Sequence, residues 1–333
     1  MRSIGRMAPA ALGIALLLAG CQPDSRSAAP SSQQVADAFV ANVVVPNYRQ
    51  LAERSQQLAS ALDALAAKPG ATELNAARTA WQQVRATWET SESWAFGPAE
   101  SGGFDGNLDD WPVNEKDLGT ALASGTMTPE LFTKLTTTAK GFHGIEAVLY
   151  GMSGTQPEAS QLTTTQLAYL RAAGADLVTN ARGLLAAWDG PKGFGSDFNA
   201  NGDEAVAEII QGMVGTLEEV AAEKLGAPLK SGNSAELESY YSDNTRSDII
   251  ANLTGVQQAL VQSGLIDLIQ SRDAKLARAL NQELDQAQAS AKALPSQLNR
   301  KLSDKPAREQ MQAVISQSER SAELLKQVAA LLS

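Results

Sequence analysis

Cysteine and histidine are scarce in this sequence. Its 333 residues include one cysteine, Cys21, and one histidine, His143. One cysteine excludes disulfides within a chain and clusters of thiolate metal ligands. One histidine excludes a zinc peptidase site of the H-E-x-x-H type, which needs two histidines at i and i+4. The sequence also has no G-x-S-x-G turn that would present a serine nucleophile.

The N-terminus carries an apolar run that is too short to cross a membrane. It extends from Ala8 to Leu18 and follows Arg2 and Arg6. About eleven residues at a rise of ~1.5 Å cover only about half of a ~30 Å hydrocarbon core. We therefore predict that residues 1–20 are an export signal peptide rather than a transmembrane helix.

The end of this signal resembles a bacterial lipobox, with the sequence Leu18-Ala19-Gly20-Cys21. It predicts that Cys21 is acylated and that several acyl chains together anchor the protein to a membrane. The alternative is an ordinary signal peptide followed by an incidental thiol. Gln22 follows the cysteine. In a Gram-negative cell, a residue other than Asp there predicts an outer-membrane lipoprotein that faces the periplasm.

The charge of the chain is acidic. The formal net charge is −10, and removing residues 1–20, which contain two arginines and no acidic residue, makes it −12. Nucleic acid and anionic lipid surfaces are therefore poor partners.

Alanine, leucine, glutamine and glutamate dominate the rest of the chain, and β-branched alternation is almost absent, so we predict an all-α fold. Residues 21–32 are mostly Ser, Ala, Pro and Gln with little bulk, which predicts a flexible tether. The sequence Gly226-Ala227-Pro228 is expected to end a helix. Helices are predicted over 33–67, 72–92, 129–150, 162–188, 203–225, 235–263, 270–292 and 304–332.

Two long stretches lack the helical pattern, 96–114 and 188–202, and both are rich in Gly and Asp. Loops of this length are usually functional or lie between domains. The second stretch lies near the middle of the folded chain. We therefore predict two domains that each resemble a four-helix bundle, over residues 33–190 and 191–333.

His143 and Glu146 are three residues apart in a predicted helix, so their side chains lie on one face about one turn apart. This pair could provide two ligands to a metal ion. The alternative is a histidine that is packed and hydrogen-bonded in the core.

Three separated motifs resemble the imelysin family, in the order that the family has them. The first contains Trp81, Arg85, Trp88, Glu92 and Phe96-Gly97-Pro98, and ends in Asp110-Trp111-Pro112. The second is the G-x-H-x-x-E helix from Gly141 to Gly151. The third runs from Tyr241-Ser242-Asp243-Asn244-Thr245 through Asp248, Asn252 and Gly255. The resemblance covers most of the chain.

This resemblance implies an all-helical fold of two bundle-like domains, with a site near the H-x-x-E segment where the domains meet. It also implies a link to iron regulation and uptake, or to the peptidase activity from which the family takes its name. One imidazole and several carboxylates suit iron, and another divalent metal is an alternative. We predict His143, Glu146, Glu92 and Asp243 as ligands. Further candidates for the site are Arg85, Asp109, Asp110, Trp111, Ser242, Thr245 and Asp248.

Several of the predicted ligands and further candidates also have ordinary structural explanations. Glu92 could end an amphipathic helix, Asp109 and Asp110 could form a turn, and Ser242 to Thr245 could cap the next helix. Arg85 is a possible carboxylate clamp.

Three functions follow from these observations. The first is an exported lipoprotein that binds iron, or a ligand that carries iron, and that works with iron-transport proteins. The second is a metal-dependent peptidase, which the residue chemistry disfavours. The third is a helical module that binds a partner protein.

Overall fold

The computed structural model describes residues 29–152 and 155–333, and every regular element in those residues is helical. The predicted all-α fold is confirmed. The predicted signal peptide, the lipidation site Cys21 and most of the tether lie outside the described residues. In the first half, the α-helices are α1 (Ser32–Phe39), α2 (Val45–Ala67), α3 (Ala71–Ser91), α4 (Pro98–Ser101), α5 (Phe104–Asp109), α6 (Glu115–Ala123), α7 (Pro129–Phe132), α8 (Gly141–Tyr150) and α9 (Thr164–Trp188).

The second half is built in the same way, from long helices joined by short ones. Its α-helices are α10 (Phe194–Phe198), α11 (Gly202–Glu219), α12 (Ala227–Ser231), α13 (Thr245–Gln262), α14 (Leu265–Arg272), α15 (Ala274–Ala293), α16 (Leu298–Lys301) and α17 (Lys305–Leu332). Short 3-10 helices are Glu92–Trp94, Thr137–Ala139, Ala159–Gln161 and Ser234–Glu236.

The long helices pack in two groups. Helices α2, α3 and α9 pack together, and α11, α13, α15 and α17 form the second group. Helix α3 also packs along α13, and α1 packs on α11 and α14, so the two groups share one apolar core. The division into domains at residue 190 stays a prediction.

Two π-helical segments explain how prolines are accommodated inside long helical runs. Val40–Val44 and Val220–Gly226 are π-helical, and each is followed two residues later by a proline, Pro46 or Pro228. Each proline lies in the first turn of the next α-helix, where its missing N–H is not needed. The predicted helix end at Gly226-Ala227-Pro228 is therefore wrong. The helical run continues to Ser231 and ends at Gly232, which has a left-handed φ of 73°.

Other predicted boundaries are also corrected. The helix predicted over 129–150 is three pieces, because the chain becomes extended at Thr136 and Lys140. The helix predicted over 235–263 begins only at Thr245. The two predicted loops contain the short helices α4, α5 and α10. In the part of the chain that the structure describes, no helix is long and apolar enough to cross a membrane.

Candidate functional site

Helix α3 contributes two buried charged residues to the interior of the protein. Arg85 and Glu89 are four residues apart, so they project from the same helix face and form an ion pair. Both side chains are fully buried. Because burial of charge is costly unless the charge is paired, the partners of these two residues define the polar centre of the molecule.

Helix α8 brings the histidine to this centre. The helix is buried along its whole length. Its first residue, Gly141, has a φ of +59°, and a Cβ there would overlap the carbonyl oxygen of Leu108 at the end of α5. Glycine thus permits the close approach of α8 to α5. The approach places Asp109, which follows Leu108, beside His143.

The two nitrogens of His143 have different surroundings. Nδ1 lies 3.0 Å from Oε2 of Glu146. The other oxygen of Glu146, Oε1, accepts hydrogen bonds from the backbone N–H and the hydroxyl of Ser242, at 2.9 and 2.7 Å. Nε2 is buried and makes no hydrogen bond of good geometry, and it lies 3.2 Å from Oδ1 of Asp109 and 3.9 Å from Oε1 of Glu238. Glu146 therefore orients the ring, and Nε2 faces the other two carboxylates.

Two cations hold these carboxylates in place. Arg85 forms ion pairs with Asp109 and Glu89, and its Nη2 lies 2.9 Å from Oε1 of Glu238. Lys224, on the second π-helical segment, lies 2.9 Å from Oε2 of Glu89 and 2.6 Å from Oε2 of Glu238. Glu89 and Glu238 are thus each shared between the two cations, and Asp109 is paired with Arg85.

Neutral donors complete the cluster. The indole N–H of Trp88 donates to Oδ2 of Asp109 at 2.6 Å. The Nδ2 group of Asn252 donates to Oε2 of Glu89 at 2.8 Å, and the same group of Asn244 donates to Oδ1 of Asp248 at 2.7 Å. The site is therefore assembled from α3, α5, α8 and the region around α13.

The pKa values of the cluster show how these charges interact. Burial and Arg85 act to lower the pKa of His143, but the adjacent carboxylates of Asp109, Glu146 and Glu238 raise it well above 6.5. Burial acts to raise the pKa of Glu238, but Lys224 and Arg85 hold it well below 4.5. Burial and the nearby Glu89 raise the pKa of Asp248 to about 8, despite the opposing effect of Arg85.

A cavity of about 320 Å³ reaches this cluster from the surface. Asp109 and Glu238 line it together with Glu92 and Lys224. Burial and the nearby Glu219 raise the pKa of Glu92 well above 4.5. The cavity thus joins acidic residues at the surface to the buried histidine site.

Two overlapping sets of side chains have ligand atoms close enough to hold a metal ion. In each set the ligand atoms lie within 4.8 Å of one another. An imidazole nitrogen with carboxylate oxygens is a donor set that suits iron and other first-row metals. The sets are Asp109, His143 and Glu238, and Glu89, Glu92 and Asp109.

The structure brings together most of the residues proposed from the sequence. Contacts within hydrogen-bonding or ion-pair distance join Arg85, Asp109, His143, Glu146, Ser242 and Asp248 into the cluster. Glu92 lies at the cavity. Glu146 contacts Nδ1 of His143, so it does not lie beside Nε2 with Asp109 and Glu238.

Four proposed residues lie outside this cluster. Asp243 has a left-handed φ of 60°, and its Oδ1 accepts a hydrogen bond from the backbone N–H of Asn299. Asp110 accepts a hydrogen bond from the hydroxyl of Thr137. Trp111 is an exposed residue at the edge of the cavity, and Thr245 is a buried residue at the start of α13. Asp243 therefore lies in a different environment from the His143 cluster.

Sequence reasoning missed Glu89, Glu238 and Lys224. Glu89 could have been found, because it lies one helical turn after Arg85. Glu238 and Lys224 have no local signal, since they are more than 130 residues from Glu89 in the sequence and meet it only through tertiary packing.

A known class of proteins shares this helical fold. The sequence model of the imelysin family, peptidase family M75, matches residues 44–327, and the chain is a member of that family. Iron-regulated protein A from Synechococcus elongatus is 33% identical over 310 residues, which cover 87% of this chain and 83% of that relative.

Two solved structures share the fold. A protein from Parabacteroides distasonis, assigned as an iron-regulated protein A precursor, has a TM-score of 0.84 at 20% identity, covering 92% of this chain and 97% of its own. An imelysin-like protein from Psychrobacter arcticum has a TM-score of 0.76 at 21% identity, covering 91% and 96%. At these identities the likeness concerns the fold.

Proposed function

We propose that this protein binds a metal cation, with iron as the first candidate, through Nε2 of His143 and the carboxylates of Asp109 and Glu238. One observation carries the proposal. Nε2 is buried without a hydrogen bond, while Oδ1 of Asp109 lies 3.2 Å away and Oε1 of Glu238 lies 3.9 Å away. A buried polar atom without a hydrogen bond is uncommon and needs an explanation, and a role as a metal ligand is one.

The position of Glu146 supports this proposal. Histidines that bind metals commonly donate their second ring N–H to a carboxylate, which fixes the tautomer and the orientation of the ring. Glu146 occupies that position at 3.0 Å from Nδ1, and Ser242 holds it there with two hydrogen bonds. In this role Glu146 positions the ligand and does not itself bind the ion.

The balance of charge also favours a cation. Five carboxylates, those of Glu89, Asp109, Glu146, Glu238 and Asp248, meet two permanent cations, Arg85 and Lys224. Burying more negative than positive charge is unfavourable, and the pKa shifts of His143 and Asp248 reduce the excess by keeping a proton on each group. An incoming ion would replace the proton on His143, because a ligating imidazole must have a free lone pair.

The names of two relatives support iron as the metal. The relative from Synechococcus elongatus is named Iron-regulated protein A, and one solved neighbour is assigned as a precursor of the same protein. Carboxylate oxygens with one imidazole are compatible with iron in either common oxidation state. We propose a role in iron uptake or its regulation, together with iron-transport proteins.

We also propose that the protein is exported and anchored through a lipid at Cys21. The signal sequence and the lipobox-like segment support this location. The folded body would then face the periplasm, where it would meet cations that have crossed the outer membrane.

A metal-dependent peptidase is the alternative, supported by the name of the family. A serine peptidase mechanism is disfavoured. In the described part of the chain, no serine hydroxyl lies within hydrogen-bonding distance of His143, and the hydroxyl of Ser242 donates to Glu146 instead. A peptidase would lose cleavage of a protein substrate in a folded Glu146→Ala variant.

Isothermal titration of the full-length protein tests the binding proposal. Mn²⁺ and anaerobic Fe²⁺ are expected to bind at one site in the wild type and not in His143→Ala or Asp109→Asn. Asp63→Asn is the matched control, since Asp63 forms an exposed ion pair with Arg171. Wild-type binding that survives in both site variants, with folding verified by circular dichroism, would contradict the proposal.

A further inference from the structure

The cavity that reaches the site is lined almost entirely by acid. Eight carboxylates and one ammonium group, that of Lys224, surround it, together with Trp111 and Gly106. We call this cavity the acidic vestibule. Its carboxylates are those of Glu92, Asp105, Asp109, Asp110, Glu219, Glu223, Glu236 and Glu238.

The vestibule is continuous with the proposed site. Asp109 and Glu238 line its inner end, and both face Nε2 of His143, which is buried without a hydrogen bond. Glu223 is exposed and Glu236 is partly exposed, so these two residues lie toward solvent. Carboxyl groups thus line the path from the surface to the buried imidazole.

The size of the vestibule fits a small hydrated ion. Six water molecules at about 30 Å³ each occupy roughly 180 Å³. The cavity volume is about 320 Å³. An ion with its first hydration shell therefore fits, with room to exchange water for carboxylate oxygens.

The charge of the vestibule favours a free metal cation over a metal bound to an anionic ligand. A cleft lined by charge of one sign with low-dielectric walls concentrates ions of the opposite sign and speeds their association. The same charge opposes an anionic ligand, because like charges placed together in such a cleft are costly. Lys224 offsets only part of this charge, since it is one ammonium group among eight carboxylates and is paired with Glu89 and Glu238.

We propose that the substrate of this site is a free hydrated cation and that the acidic vestibule is its access route, while iron held by an anionic chelator is excluded. This inference rests on the proposed function and specifies the chemical class of what is bound.

Stopped-flow mixing of the full-length protein with Mn²⁺ at low ionic strength tests the access route. Tryptophan fluorescence reports binding, because the indole of Trp88 donates to Asp109. In Glu223→Gln/Glu236→Gln, the association rate constant is expected to fall by roughly threefold to tenfold, with little change in the dissociation rate constant. Glu218→Gln is the control, since Glu218 is exposed, does not line the vestibule and pairs with Lys326.

A titration with ferric citrate tests the substrate class. The wild type is expected to give no saturable binding of the intact complex. Binding of iron with its citrate retained would overturn the inference, and so would unchanged association of Mn²⁺ with the double variant.

The His143→Ala variant separates this inference from the proposed function. If it loses binding while the vestibule variant associates normally, the site stands and the access route fails. If it binds Mn²⁺ like the wild type while the vestibule variant associates slowly, the cavity attracts cations without the histidine and the proposed function fails. Absence of Mn²⁺ binding by the wild type would overturn both.

Discussion

The Glu146→Gln substitution tests whether Glu146 fixes the tautomer of His143. Oε1 of Glu146 accepts two hydrogen bonds from Ser242, one of them from a backbone N–H that can only donate. A glutamine at this position must therefore keep its carbonyl oxygen toward Ser242 and turn its NH₂ group toward Nδ1 of His143. That contact is favourable only if Nδ1 accepts, so the neutral ring would carry its proton on Nε2, where the metal would bind.

The expected magnitude follows from the position of Glu146 behind the ligand. Replacing such a partner typically lowers metal affinity by about 10–100-fold, which corresponds to roughly 1.4–2.7 kcal/mol. The pKa of His143 should also fall, because one of the three carboxylates that raise it is replaced by a group whose contact favours the neutral ring. The side chain keeps its size, so the core packing around α8 should be retained.

Nitrogen NMR of the imidazole provides a direct assay. His143 is the only histidine of the chain, so its ring signals need no assignment. The variant should show a neutral ring protonated at Nε2 at a pH where the wild-type ring is still cationic, and titration with Mn²⁺ should show the weaker affinity. Ser242→Ala is the control, because it leaves the backbone N–H to hold Glu146. A variant with the wild-type ring state and affinity would refute this reasoning.

Three further substitutions probe the charges and the packing that position the site. Lys224→Met leaves Glu238 without one of its cations, and we expect the metal-free protein to lose about 3–5 kcal/mol of unfolding free energy in urea, partly restored by saturating Mn²⁺. Asp248→Asn removes a carboxyl with a pKa of about 8. Its protonated form stabilises the fold below pH ~3.9, and that contribution is lost as the pH rises toward 8, so the variant should lose less stability than the wild type between pH 5 and pH 8. Gly255→Ala places a Cβ against the carbonyl oxygen of Thr90, so it should separate α13 from α3 and cost about 1–3 kcal/mol by thermal unfolding.

Each of these substitutions has a matched control. Lys230→Met replaces an exposed lysine of α12, and Asp285→Asn replaces an exposed carboxylate. Gly215→Ala adds a Cβ to α11 where nothing lies within 4 Å. Equal effects of a substitution and its control would contradict the role assigned to the residue. Equal losses of stability in the wild type and in Asp248→Asn between pH 5 and pH 8 would contradict the role of the carboxyl.

The composition of the chain was enough to predict the helical fold, because helix propensity summed over long segments is informative. Composition did not predict the helix boundaries that depend on tertiary contacts. The residues before Gly141 leave the helical conformation so that α8 can begin against Leu108, and Pro228 is accommodated by a π-helical segment that no propensity indicates.

The site was predictable only where helix geometry brings residues together. His143 and Glu146 are neighbours because they are one turn apart, and Arg85 and Glu89 follow the same rule. Their roles were not predictable. Whether Glu146 shares an ion with His143 or orients its ring depends on Ser242, which is 96 residues away in the sequence.

The composition of the buried cluster itself favours binding over architecture. A buried cluster of ion pairs contributes little net stability, because desolvation of the charges offsets much of their attraction. Apolar residues of the same size often stabilise the fold equally well. A cluster with excess carboxylates is worse still, since the surplus charge has no partner. Here the surplus lies around an imidazole nitrogen without a hydrogen bond, at the inner end of a cavity lined by further carboxylates. That combination costs the folded protein stability, and a bound cation would supply positive charge at the point where the cost arises.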